Sequence, residues 1–393
     1  MSTRVDAVDA FAQATFHLAA KANSRFFAIG LEDWTQAGIS SATVFYDAIY
    51  GQTQDPVLYV FNVAYKKDIV GHLAVPGSRL AGNTLAYLNP SCKEPLESLL
   101  KAVHIAIGKV VTQKILEELP VVYSYPKLGV RIRLENGALR YFDLFDFHEI
   151  NPATPPATQG CAVWSFWDEY PQGGDPAAAW DAQNGFIHTV TPNVAALVKS
   201  KKVNGVFRFQ VARALGSAAV APVRNYVEQN PPVTDAITAP CQIIGQPNDS
   251  YCAPTSLVMI YQYVYGTALN INDVAAKMGT DVVGTTFDAQ VGAYNFYFGT
   301  DFNIVTTHQP TVQMLHDSIY NYLPLKSGIL GHARVANGYS KDTFVDPKSG
   351  SVKMQTDSLL ISDPLPVGQG SQRWDAWGAN LRDFIILSRK TPG

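Results

Sequence analysis

A cysteine at the start of an apolar helical run is the residue whose setting in this chain most favours chemistry. Cys252 opens a run in which apolar residues recur at helical spacing until Gly266. The first turn of a helix has unpaired backbone N–H groups and the positive end of the helix dipole, which together stabilise a thiolate. Gln246 lies six residues earlier and offers a side-chain N–H to an oxyanion beside that thiolate. The pattern therefore indicates an activated nucleophile.

A cysteine nucleophile also needs a base and a third group that orients the base. His332 lies near the head of a predicted strand that ends in a Gly-Tyr turn, and Asp363 follows the apolar stretch 359–361 and precedes a proline. Asp346 also precedes a proline and is the rival for the orienting role. We favour Asp363 because the apolar stretch gives it a buried strand, whereas the residues around Asp346 are typical of an exposed turn.

The helix that carries the cysteine has its own start and stop signals. Asp249 or Ser250 is the expected N-cap, and Pro254 falls in the first turn, where a missing N–H costs little. Gly266 is the expected end of the helix.

The first part of the chain alternates between helical and strand-like patterns. Apolar spacing predicts a helix at 5–22 and a long helix at 95–119, and β-forming residues predict a strand at 56–63. Two strand-like runs, 129–134 and 139–144, flank an Asn-Gly pair and predict a β-hairpin.

Shifts in composition divide the chain into three segments. Residues 1–150 are predicted to form a mixed α/β N-terminal domain of unknown role, and residues 239–393 form the domain with the candidate nucleophile. Between them, 151–238 is a middle segment and linker that is either separate or part of the first domain. It has a helical pattern at 191–199, and the basic cluster at 199–202 is predicted to be a solvated helix end.

Composition excludes several classes of function. The chain has 393 residues, 47% of them hydrophobic and 16% charged, and a formal net charge of -3. This near-neutral balance argues against a dedicated nucleic-acid binder. No apolar stretch reaches the ~20 residues of a membrane span, and the N-terminus lacks the apolar core of a secretory signal. We therefore expect a cytoplasmic protein, or one exported without a cleavable secretory signal.

Neither a metal nor a cofactor is expected. The chain has 4 cysteines without a CxxC pair, which favours neither a disulfide framework nor a zinc site. The remaining histidines lack metal-ligand spacing. The sequence also has no Gly-rich phosphate loop and no dinucleotide-binding fingerprint.

From Cys241 onward the chain resembles the papain-like cysteine peptidases, and most closely their C39-like and bacterial effector branch. The matching features are the spacing of Gln246 and Cys252, the Cys-Ala-Pro-Thr-Ser helix start, the Gly-His-x-x-Val-x-x-Gly-Tyr strand and the late Asp-Pro. The resemblance implies an α+β protein. Its papain-like C-terminal domain would pack the cysteine helix against an antiparallel sheet, preceded by the mixed α/β region.

The same resemblance implies roles for the site residues. Cys252 would be the nucleophile, His332 its general base and acid, and Asp363 the group that orients the imidazole. Gln246 and the backbone N–H of Cys252 would form the oxyanion hole. The implied reaction is hydrolysis of peptide bonds in a protein or peptide substrate.

Two other hypotheses stay open at this point. The same side chains serve a deamidase, an amidase or a transglutaminase-like acyl transferase that acts on a partner protein. A catalytically inactive peptidase-like domain used for binding is the non-enzyme alternative. The role of residues 1–238 stays open between a region that inhibits the catalytic domain, a targeting or substrate-selecting module and a delivery domain of an effector, and the sequence does not reveal the oligomeric state.

Overall fold

The chain folds into two compact units. Unit 1 comprises Met1–Glu149, Trp164–Asp235 and Lys341–Thr356, and unit 2 comprises Ile150–Val163, Ala236–Ser340 and Asp357–Gly393. The structure is a computed structural model, and the residues it describes are 3–22, 32–52, 55–125, 127–150, 163, 165–169, 175–191, 198–203, 206–211, 213–378 and 380–390.

Helices are distributed over both units. Those in the described residues are α1 (Ala7–Ala22), α2 (Leu96–Val110), α3 (Phe166–Glu169), α4 (Pro176–Val190), α5 (Arg213–Gln229), α6 (Cys252–Tyr265), α7 (Ile271–Met278), α8 (Phe287–Phe298) and α9 (Val312–Tyr320), with 3-10 helices at Glu32–Gln36 and Arg79–Ala81. None of the helices in this part of the chain is long and apolar enough to cross a membrane.

Among the described residues, strands outnumber helices in both units. In the same residues they are β1 (Gly38–Asp47), β2 (Leu58–Tyr65), β3 (Asp68–Pro76), β4 (Tyr87–Asn89), β5 (Ile115–Ser124), β6 (Lys127–Leu134), β7 (Leu139–Asp143), β8 (Glu149–Ile150), β9 (Val198–Val203), β10 (Val206–Val211), β11 (Val233–Thr238), β12 (Phe302–Thr307), β13 (Leu325–Ile329), β14 (His332–Val345), β15 (Val352–Asp363), β16 (Ser371–Ala376) and β17 (Leu381–Arg389).

Unit 1 is built on antiparallel strand pairs. β9, β10, β1, β2, β3 and β4 pair in that order, each antiparallel to the next. β5, β6 and β7 form a second antiparallel set, which joins the end of β1 through the parallel pairing of β1 with β5. The β6–β7 pair is the hairpin predicted from the Asn-Gly sequence, and Gly137 takes a φ of 84° at its turn. Together with the helices, this mostly antiparallel pairing confirms the predicted α+β character.

Helix α2 shows both the strength and the limit of the apolar pattern. Its apolar face is buried in the core of unit 1, as the spacing predicts, but the helix ends at Val110 and does not continue to Leu119. Val111 is already extended, and Ile115 begins β5, which pairs along β6. The prediction of a helix at 95–119 was wrong in its second half, because β-branched residues favour extended backbone and the strand pairing satisfies it.

A second prediction fails in the middle segment. Helix α4 ends at Val190, and the basic cluster at 199–202 lies in strand β9, which pairs antiparallel with β10. The cluster is therefore part of a β-hairpin and not a helix end. Residues 192–197 and the start of the predicted middle segment, 151–158, lie outside the described residues.

Unit 2 packs helices against an antiparallel sheet. β12 pairs with β17, β17 with β13, and β13 with β14, while β15 pairs with β16. β14 and β15 are neighbours, and β11 also lies beside β14. One buried cluster joins α6, α7 and α8 to one face of this sheet, and a second cluster lies around α9, β14 and β15.

The hairpin formed by β14 and β15 contributes to both units. Its tip, Lys341–Thr356, belongs to unit 1. There Asp342 makes a buried ion pair with Lys21 of α1 and accepts a hydrogen bond of 2.7 Å from the Thr234 hydroxyl. Phe344 packs on Phe16, with ring centroids 5.1 Å apart. The other ends of the same two strands carry His332 and Asp363 in unit 2.

Candidate active site

Cys252 is the first residue of α6 and is 1% exposed. The N-cap is Tyr251, whose side chain makes no capping hydrogen bond, so the predicted cap by Asp249 or Ser250 is wrong. Tyr251 therefore supplies no side-chain acceptor to the first turn of α6, whose backbone N–H groups form the positive end of the helix dipole. The helix ends as predicted at Gly266, which has a φ of 71° and donates its N–H to Gln262.

Gln246 lies in the loop before α6 and is fully buried. Its amide Nε2 donates to the backbone oxygen of Asn248 at 2.6 Å. Since an amide nitrogen carries two hydrogens, this bond fixes the side chain and leaves the second N–H for another acceptor. The backbone of Gln246 donates to Pro364 at 2.9 Å and accepts from Gly368 at 2.8 Å.

Two further contacts hold this loop. Gly245 approaches the chain at Gln369 so closely that a Cβ would lie 2.2 Å from the Gln369 nitrogen, which explains why glycine stands there. The N–H of Ile244 points to the sulfur of Met259 in α6 at 3.4 Å. The loop is thus tied at one end to the Asp363-Pro364 turn and at the other to the cysteine helix.

His332 and Asp363 form a buried pair. The His332 Nε2 lies 2.6 Å from the Asp363 Oδ1, and the two side chains are 1% and 3% exposed. An ionised carboxylate only accepts hydrogen bonds, so Nε2 carries the hydrogen and the neutral ring has its lone pair on Nδ1. Nδ1 is therefore the nitrogen that can take a proton from a thiol.

The placement of His332 follows from local structure. It begins β14 directly after Gly331, which takes a φ of 65° in the tight turn from β13. The next residue, Ala333, lies in the same buried cluster as Cys252. Side chains alternate along a strand, so the Ala333 face of β14 packs in the core that also holds the start of α6, and the His332 side chain starts from the other face.

Asp363 is held by more than the histidine. Its Oδ1 also accepts from the backbone N–H of Leu365 at 2.9 Å, and its Oδ2 accepts from Arg373 at 2.9 Å. Burial alone would raise the pKa of Asp363, but the charges of His332 and Arg373 outweigh it and lower that pKa well below its usual range. These partners therefore favour the ionised form of the carboxylate.

The rival acid lies elsewhere. Asp346 belongs to the hairpin tip in unit 1, where its Oδ1 accepts from the backbone N–H groups of Lys348 and Ser349. These bonds lower the pKa of Asp346 to about 2. Its ion pair is with Lys353, at 3.4 Å. His332 is paired with Asp363 and not with Asp346.

Sequence reasoning missed Arg373 and its partner Asp375. Both lie on β16, and Arg373 Nε donates to the Asp375 Oδ1 at 2.7 Å. The available signal was an arginine and an aspartate two residues apart in the run 371–376, which places their side chains on one face of a strand. Nothing in the sequence indicates that this face meets Asp363.

Several solved structures are similar to part of this chain. One is a double glycine motif protease from an AMS/PCAT transporter, in complex with the leader peptide; it is 13% identical, and the match covers 39% of this chain and 94% of that chain with a TM-score of 0.26. Another is the peptidase domain of Streptococcus ComA, a bi-functional ABC transporter involved in a quorum sensing pathway. It is 19% identical, and the match covers 38% of this chain and 98% of that chain with a TM-score of 0.26.

No protein-family profile matches the chain, and no curated protein matches it.

Proposed function

We propose that this protein is a cysteine peptidase that hydrolyses peptide bonds with Cys252 as the nucleophile. The observation that carries the proposal is the buried hydrogen bond of 2.6 Å between His332 and Asp363. It is joined to the cysteine helix through Gln246, whose backbone bonds to the turn that follows Asp363. A base, its orienting acid, an amide donor and a thiol at a helix start together match the requirements of nucleophilic acyl transfer.

The first half of the reaction forms a thioester. Nδ1 of His332 takes the proton of the Cys252 thiol, and the thiolate attacks the carbonyl carbon of the substrate. The charge that develops on the carbonyl oxygen is stabilised by the second N–H of Gln246 and the backbone N–H of Cys252. As the carbon–nitrogen bond breaks, the imidazolium gives its proton to the leaving amine.

The second half returns the enzyme to its starting state. Water attacks the thioester carbon while His332 accepts one of its protons. The carbon–sulfur bond then breaks, the carboxylic acid leaves, and the proton on His332 restores the thiol. Asp363 keeps its charge throughout and stabilises the imidazolium without taking its proton.

Mass spectrometry of a denatured-protein digest tests this proposal. The wild-type protein is expected to produce new peptide termini, and Cys252→Ala is expected to produce none. Cys92→Ala is the matched control, since Cys92 is also a free cysteine but lies in unit 1. It is expected to cleave as the wild type does.

The same spectra separate the alternative chemistries. Deamidation gives a small mass increase on intact peptides, and acyl transfer gives a product joined to an amine. Either result without new termini would replace the peptidase proposal with an amidase or transferase. Equal cleavage by wild type and Cys252→Ala would remove Cys252 from the reaction altogether.

A further inference from the structure

A series of buried ion pairs continues from Asp363 to charged residues beyond the candidate site. Arg373 bonds to Asp363 at 2.9 Å and to Asp375 at 2.7 Å, and Arg334 bonds to the second oxygen of Asp375 at 2.6 Å. The four side chains beyond the histidine are between 1% and 8% exposed. Arginine, aspartate, arginine and aspartate thus alternate in one buried row that ends at His332.

Strand pairing places these side chains in a row. Ile361 pairs with Arg373 and Asp363 with Ser371, so Asp363 and Arg373 project from the same face of β15 and β16. Asp375 lies two residues after Arg373 and shares that face. Arg334 lies two residues after His332 on β14, and for the same reason the two share a face.

Because these side chains are buried, the order of positive and negative charges affects the free energy of each charged group. An unpaired buried charge is strongly unfavourable, whereas oppositely charged neighbours offset one another. With His332 neutral, the two arginines and two aspartates sum to zero. Protonation of His332 adds one positive charge to a row that has little solvent to screen it. The stability of the imidazolium therefore depends on how far Asp363 is neutralised by its other partner.

We propose that Arg373 is a positioning residue that orients the carboxylate of Asp363 toward His332 and sets the proton affinity of the imidazole, with Asp375 moderating the charge of Arg373. This inference rests on the proposed role of His332 as the base. Arg373 holds the Oδ2 of Asp363, so the Oδ1 faces the histidine in a fixed geometry. Its positive charge also restrains the basicity that Asp363 alone would give His332.

Arg373 has the properties this role requires. Burial alone would lower its pKa, but Asp375 and Asp363 raise that pKa above its usual value, so the guanidinium stays charged. Its planar fork holds two carboxylates at once, which a lysine ammonium does less well.

Other charged groups face His332 less directly. Arg334 adds a positive charge from β14 itself. The buried pair of Lys326 and Asp383 joins β13 to β17. A Cβ on Gly328 would meet Asp383, so Asp383 lies on the face of the sheet toward which that Cβ would point. Gly328 pairs with Ala333, which shares that face, whereas the preceding residue, His332, projects from the other face. The Lys326–Asp383 ion pair is therefore on the face opposite His332.

Titration of the His332 ring by NMR tests the proposal. It is measured in a Cys252→Ala background, and His332 is assigned among the 8 histidines by the signal lost in His332→Gln. Arg373→Gln is expected to raise the pKa of His332 by about one unit, the lower end of the effect of a close charge. Asp375→Asn is expected to lower it, and Arg373→Lys is expected to return most of the wild-type value.

If Arg373 and Asp375 act through their charges, the pKa of His332 shifts in opposite directions in Arg373→Gln and Asp375→Asn. If their role is purely structural, the pKa of His332 shifts in the same direction in both variants or in neither. No shift in Arg373→Gln, or a shift of the same sign in Asp375→Asn, would overturn the proposal. If Asp375→Asn fails to fold by circular dichroism, the contrast between Arg373→Gln and Arg373→Lys still decides it. Because this readout needs no reactive thiol, it can succeed even where the peptidase proposal fails.

Discussion

Asp346 and Asp363 both precede a proline at an end of strand β14 or β15, yet their carboxylates have opposite kinds of hydrogen-bond partner. The carboxylate of Asp346 is satisfied by the backbone of its own turn and by the exposed Lys353. The carboxylate of Asp363 is satisfied by His332 and Arg373, which lie 31 and 10 residues away in the chain. The same dipeptide closes a turn at one end of the hairpin and joins a buried charge row at the other.

The comparison teaches that the surroundings of an aspartate decide its role. When the carboxylate of an aspartate accepts hydrogen bonds from the backbone of its own turn, its geometry depends on that turn alone. An acid bonded by distant side chains has a geometry that depends on the whole sheet. Only the second arrangement can orient a base, because only it fixes two groups from different strands.

The largest expected difference is in catalysis. Asp363→Asn should lower kcat by about 10³- to 10⁴-fold, because an amide neither fixes the tautomer of His332 nor stabilises its imidazolium. Asp346→Asn should leave kcat within about twofold, as expected for a surface change away from the reacting groups. Rates of peptide cleavage by the two variants check this. Equal losses in both would contradict the assignment of Asp363.

The next largest effect concerns the oxyanion. Gln246→Ala should lower kcat by about 10²- to 10³-fold, the usual cost of removing one oxyanion donor. The backbone bonds of Gln246 to Pro364 and Gly368 do not need the side chain, so the turn after Asp363 should keep its geometry. Gln242→Ala is the matched control, since that exposed side chain bonds only to Gln262 in the described residues. A normal rate in Gln246→Ala would remove this residue from the oxyanion hole.

A smaller effect is expected in the acid dependence of stability. The folded pKa of Asp363 is lowered, so its contribution is fully present above the unfolded pKa of about 3.9 and is lost as the pH falls below it. The free energy of unfolding should therefore fall less steeply on acidification in Asp363→Asn than in the wild type. Asp346→Asn should keep a slope close to the wild type, because solvent screens its interactions. Urea unfolding at a series of acidic pH values measures the slopes, and identical slopes in all three proteins would count against the buried charge row.

Local signals allowed the cysteine helix to be predicted well. The apolar spacing after Cys252 and the glycine at 266 were sufficient, because a helix start and stop depend on nearby residues. The cap was wrong because the helix begins at Cys252, so Tyr251 and neither Asp249 nor Ser250 occupies the N-cap position. The hairpin of β6 and β7 was predictable for the same local reason.

Features that depend on distant partners were not predictable. The end of α2 at Val110 depends on the pairing of β5 with β6, and the strand at 198–203 depends on its pairing with β10. Arg373 looked unremarkable because its role follows from the register of β15 against β16. Hydrophobic periodicity contains no information on that register. The contacts of Arg373, Asp375 and Arg334 beyond Asp363 could therefore be found only in the structure.

Alkylation of the cysteines by iodoacetamide near neutral pH tests the central claim most directly. Burial raises the pKa of Cys92 to about 11 and that of Cys241 to about 12, so both should react slowly and serve as internal controls. The account predicts that peptide mapping finds Cys252 labelled far faster than either, and that His332→Ala abolishes the difference while Asp346→Asn preserves it. Slow labelling of Cys252 that is unchanged in His332→Ala would contradict the claim that Cys252 is an activated nucleophile.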